Sequence, residues 1–197
     1  WFRSITPTVS IMRRLLLIAL AFCFTALPLQ ARAESKEQQR AEVRTTSQSI
    51  LNKLYKVKPS ARGAGANAAG YGVFSNFGMK IFVSGGGTGH GMVVDKATGK
   101  ETFMKMAEVQ AGLGFGAKKT QVVFVFENQA ALRQFVNSGW ELGGQATAAI
   151  TDGKSGGAFQ GAASVSPGVW MYQMTDKGLA AEITAKGTKY YRNDELN

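Results

Sequence analysis

The chain has 197 residues, with 23 lysines and arginines against 13 acidic residues, a formal net charge of +10, one cysteine and one histidine. That length accommodates one domain with a sizeable core. A lone Cys23 excludes an internal disulfide framework, and a lone His90 excludes a paired-histidine metal site.

In chain order, Met12-Arg13-Arg14, the apolar run Leu15–Leu29 and Ala31-Arg32-Ala33 read as a secretory signal peptide cut after Ala33. The run is shorter than the roughly 20 residues of a spanning helix. Residues 1–11 fit no part of such a peptide and are expected to lie upstream of the true start, Met12. Phe22 stands where a lipoprotein signal needs a small residue, so Cys23 is not expected to carry lipid. Cleavage leaves 19 basic and 13 acidic residues, a net +6, and no thiol. The expected location is the periplasm or the envelope. A basic exported protein suits anionic partners such as lipid head groups, and export disfavours nucleic acid.

Ser35-Lys36-Glu37-Gln38 has the form of a capping box opening a helix that runs to about Val57 and stops before Pro59. Val43, Ile50, Leu51, Leu54 and Tyr55 fall on one stripe of it. Lys36, Arg40, Arg44, Lys53 and Lys56 decorate the other faces, with Lys58 just beyond. Two readings follow: the stripe packs on a sheet, or the helix lies on an anionic bilayer. Residues 34–62 form this helix and a linker, and 63–197 a β-rich domain.

From Gly70 to Phe126 the period is mostly two. Strands are predicted around Met79–Val83, on both sides of a Lys96-Ala97-Thr98-Gly99 hairpin, and on both sides of Lys118-Lys119. Val122–Phe126 is continuously apolar, the mark of a central strand buried on both faces. Asn128–Ser138 switches to helical period, with Ala131, Leu132, Phe135 and Val136 on one face and Gly139 as the stop. Trp140–Ile150, Phe159–Ser166, Val169–Met174 and Leu179–Ala185 are predicted strands. Glycine threads this whole region, which implies tight bends and close backbone approach. The expected fold is α+β: a single domain with a strongly curved, mostly antiparallel sheet, barrel- or sandwich-like, plus an N-terminal and one internal helix.

Catalytic motifs fail on context. Gly112-Leu113-Gly114-Phe115-Gly116-Ala117 matches a dinucleotide pattern, but a β-rich run follows where a helix must begin. Gly153-Lys154-Ser155 resembles the end of a phosphate loop, yet Ala148 replaces its first glycine. His90 sits among glycines, as at a strand edge or bulge, and the carboxylates are scattered. No enzyme, cofactor or metal is expected. Trp140, Trp170, Tyr172, Tyr190 and Tyr191 suit either a core or a wet interface. Tyr190 and Tyr191, beside Lys186, Lys189 and Arg192, form a second basic-aromatic group.

Gly70-Tyr71-Gly72-Val73-Phe74, the Gly85–Gly91 run, Val109–Gly116, Val122–Phe126, Trp140-Glu141-Leu142-Gly143 and the ending Tyr190-Tyr191-Arg192-Asn193 resemble the SYLF family, which includes the yeast Ysc/Lsb actin-patch proteins. The resemblance covers about Leu51–Asn197. It implies a domain binding phosphoinositide or other anionic lipid. By position and charge, the counterpart of the family's basic helix would be Lys36, Arg40, Arg44, Lys53 and Lys56; Lys58 beside it and the Lys186, Lys189 and Arg192 group complete the expected lipid-binding residues. Export would separate the chain from actin. The reading reached is non-catalytic binding of an anionic phospholipid surface. The alternative is an envelope interaction or stress protein that contacts other proteins through its sheet.

Overall fold

Alternation of apolar side chains along the strands produces one sheet with two apolar faces, and helices cover both. The computed structural model describes residues 28–81, 84–111, 116–142, 159, 161–175, 178–179 and 187–197. It divides into two compact units, Trp1–Gln39 and Arg40–Asn197. The described part of the first is the opening of helix α1 (Pro28–Val57). In the second, α2 (Ser60–Asn67) is followed by β1 (Gly70–Ile81), β2 (Ser84–Asp95), β3 (Glu101–Ala111) and β4 (Gly116–Phe126). Then come α3 (Gln129–Ser138), β5 (Trp140–Leu142), β6 (Ala163–Ser166), β7 (Val169–Thr175), β8 (Gly178–Leu179) and β9 (Thr188–Arg192).

The strands make one strongly curved sheet in the order β5-β9-β3-β2-β1-β4-β7-β6, with β8 on β7. Every described pairing is antiparallel. The α+β fold expected from the sequence is the fold observed. Val122–Phe126 is buried at every position, in a strand paired on both sides, with β1 and β7. One face, carrying Phe74, Val93, Met104, Met106, Phe124, Phe126 and Tyr190, packs against Leu132, Phe135 and Val136 of α3. The opposite face, carrying Val73, Val123, Val125, Tyr172 and Met174, packs against Ile50, Leu51 and Leu54 of α1 and Ala61 and Ala64 of α2. Farther along α1, Val43 meets Met92, Phe103 and Leu196.

Local signals explain several boundaries. The Asn128 side chain caps α3 by accepting the Ala131 amide at 2.9 Å, and Gly139 ends that helix at φ 67°. A Cβ at Gly139 would stand 2.8 Å from the Tyr190 carbonyl, so the stop also needs glycine for space. On β2, Gly89 and Gly91 share the α3 side of the sheet with Val93. A Cβ at Gly91 would meet the Val73 carbonyl and come within 2.6 Å of the Phe74 ring. The glycine run therefore lets β1 carry its aromatic ring close over its neighbour.

Four expectations change. The helix begins at Pro28, so Ser35 lies inside it rather than capping it. The predicted linker after Pro59 is instead α2, because Ala61 and Ala64 are small enough to pack helical backbone against the sheet. Lys118 and Lys119 lie within β4, since β1 extends far enough to pair Gly78 with Lys118 and Phe77 with Lys119. His90 sits mid-strand, paired on both sides with Ser75 and Lys105, rather than at an edge or bulge. Phe82 and Val83, the predicted strand segments 143–150 and 180–185, and the signal-peptide residues before Pro28 lie outside the described residues.

Candidate functional site

The buried stripe of α1 leaves its polar side chains on the remaining faces, and several of them reach the sheet. Arg44 Nε donates to Glu101 Oε2 at 2.8 Å, and its guanidinium stands 5.4 Å from the Phe103 ring centre. That pair fastens the helix to the start of β3, with a cation over an aromatic face adding to the ion pair. Arg40 Nε donates to the Leu196 carbonyl at 2.8 Å, tying α1 to the chain's last residues. At the other end, Lys53 Nζ donates to the Thr175 carbonyl at 2.9 Å and to Gln121 Oε1 at 3.2 Å. Both of those acceptors are neutral, so these bonds orient the ammonium without cancelling its charge.

The polar side of α1 carries Arg44, Lys53 and Lys56 with Thr45, Gln48, Ser49 and Asn52 between them. Gln48 Nε2 donates to Asn52 Oδ1 at 3.2 Å one turn on. Cations spaced along a row of hydroxyl and amide groups offer charge-assisted and neutral hydrogen bonds to an ester phosphate. Lys56 is exposed. Lys58, half-buried after the helix, lays its aliphatic carbons near Gly161.

The other cations named from the sequence are spread out. Lys36 is half-buried in the first unit. Lys189 and Arg192 are both exposed on β9, but an odd spacing puts them on opposite faces of the sheet. Lys189 stands across from Ala107 on one side and Glu141 on the other, and Arg192 across from Met104. Lys186 lies outside the described residues. Lys53 and Lys56 are thus neighbours one turn apart on α1, whereas Arg44 lies nine residues earlier and reaches β3, and the β9 pair lies on opposite faces.

The tyrosines divide between core and surface. Tyr190 is fully buried in the aromatic cluster, where burial and the nearby Glu108 carboxylate push its phenol up. Burial pushes Tyr172 up to about 12. Tyr191, the next residue along β9, is partly exposed on the face that carries α1. Among the described residues no group of three acidic, histidine or cysteine side chains is placed to hold a metal ion. His90 is exposed beside Ser75 and Lys105 on its neighbouring strands.

Residues that the sequence reading passed over also stand out. Phe77, Val109 and Lys119 are exposed on the α1 side of the sheet. A signal for Phe77 was present: it follows Phe74 by three residues, so the two rings cannot share one face of a strand.

Residues 107–197 match a family model described as Ysc84, Las17-binding protein actin regulator. Over 165 residues the chain is 30% identical to beta cell expansion factor A of Aeromonas veronii, an alignment covering 83% of this chain. The same alignment spans 60% of that relative's length.

Proposed function

We propose that this chain, which carries a domain of the Ysc84 (SYLF) family, binds anionic phospholipid at a membrane surface of the cell envelope and performs no chemical step there. The observation that supports this most is the polar side of α1. Lys53 is held by neutral oxygens with its charge intact, and exposed Lys56 lies one turn on along a helix side rich in hydrogen-bonding side chains. Lysines near an anionic surface contribute about 1 kcal/mol each, and the attraction fades within a Debye length. The affinity expected from so few cations is modest and salt-sensitive.

The mechanism differs from insertion of an amphipathic helix. Ile50, Leu51 and Leu54 are buried against the sheet, so α1 presents its polar side while its apolar stripe holds the fold together. Co-sedimentation with phosphatidylcholine vesicles, with and without phosphatidylglycerol, tests the reading. Binding is expected only with the anionic lipid and is expected to weaken about thirtyfold in the Lys53→Gln/Lys56→Gln variant. Equal binding to neutral vesicles in high salt would overturn it.

A further inference from the structure

Among the described residues, helical packing covers only part of the sheet face that receives α1. Helical contacts reach Val73, Met92, Phe103, Val123 and Tyr172. Beyond them the same face continues to Phe77 on β1, Thr88 and His90 on β2, Ala107 and Val109 on β3, and Lys119 on β4. Phe77 is 56% exposed and Val109 70%. Tyr191 of β9, opposite Lys105, is 38% exposed on the same face. Large apolar groups this open on inner strands leave apolar surface in contact with water, and clustered examples mark interaction surfaces.

Charge selects the occupant. Lys119 stands directly across from Phe77, Lys189 directly across from Ala107, and Lys105 across from His90 and Tyr191. Glu195 reaches Lys105 at 3.3 Å and Glu141 faces Lys189, while Lys119 makes no ion pair among the described residues. Apolar centres rimmed by lysine and tyrosine match a bilayer interface, where the rings meet acyl chains and the cations stay with the head groups. The surface also adjoins the cationic side of α1. Lys53 bonds Gln121, two residues from Lys119 on the same face of β4.

We propose that this uncovered part of the sheet, with Phe77 and Val109 at its centre and Lys119, Lys189 and Tyr191 around it, is the surface that enters the interfacial layer of an anionic bilayer. The inference rests on the lipid-binding reading and adds to it the insertion surface. The sheet supplies the apolar contact, and α1 supplies cations beside it.

The test compares the full chain with the Phe77→Ser/Val109→Ser variant on phosphatidylcholine–phosphatidylglycerol vesicles, with circular dichroism as the check on folding. A loss of about tenfold in vesicle affinity with unchanged circular dichroism is expected. A second arm places an environment-sensitive fluorophore on Val109→Cys in a Cys23→Ser background, leaving Phe77 in place. A blue shift on adding these vesicles is expected. Unchanged affinity in the serine variant, or no spectral shift while the protein is bound, overturns the insertion surface, leaves lipid binding by α1 standing, and would point the open face toward a protein contact. Failure of the unaltered chain to bind either vesicle overturns the lipid reading and this inference together.

Discussion

The two faces of the sheet are built on different principles. The face under α3 is closed by rings: Phe74, Phe124, Phe126, Phe135 and Tyr190 interlock, with centres 4.8 Å apart for Phe74–Tyr190 and 5.1 Å for Phe124–Phe135. Edge-on and tilted pairs of this kind add to the hydrophobic gain of burial. The opposite face is covered by aliphatic and alanine contacts from α1 and α2, reinforced by tethers from Arg44 and Lys53. Among the described residues, that cover ends before the strands do. One face therefore stabilises the domain, while the other leaves apolar and cationic groups in reach of a partner.

Removing a ring from the closed face gives the largest expected effect. Phe124→Ala should cost about 4 kcal/mol, read from urea denaturation, because its ring touches five other aromatic side chains. Gly91→Ala should cost about 3 kcal/mol in the same measurement, since the added methyl forces Phe74 and the β1 backbone away. On the other face, Leu54→Ala should cost about 2 kcal/mol. Its hydrogen-exchange signature should be loss of protection in α1 before β4. A cost equal to that of Phe124→Ala, or uniform loss of protection, would erase the asymmetry between the faces.

A further effect concerns pH. Tyr172, packed under α1, holds its proton up to about pH 12, whereas the unfolded chain releases it near 10. The native state therefore binds more protons in that interval, so stability is intact below about pH 10 and declines as pH rises toward 12. A Tyr172→Phe variant should show a shallower alkaline decline in urea midpoints. An identical slope would mean that the phenol stays wet under the helix.

Much of the fold was legible because its signals are local. The α3 helix follows from four apolar positions at helical spacing, a capping Asn128 and a stopping Gly139. The central strand follows from five consecutive apolar residues. The stripe on α1 was also readable, but two physical outcomes were open to it, and only contact with Val123 and Tyr172 resolves them in favour of the sheet. The α2 segment was hidden because glycine and alanine read as a loop until a neighbouring surface supplies the packing. Of the candidate site, Lys53 and Lys56 were named from charge alone, whereas Phe77 and Lys119 were not.

Sequence by itself determined the alternation of each strand, the stripe of α1 and the positive balance of the chain, because period and composition belong to the residues wherever they are placed. Tertiary structure decided how far the helix covers the sheet, which cations are tied to neutral oxygens, and which rings stay wet. Those outcomes depend on strand register and on where α1 crosses, and both are set by contacts between residues far apart in the chain.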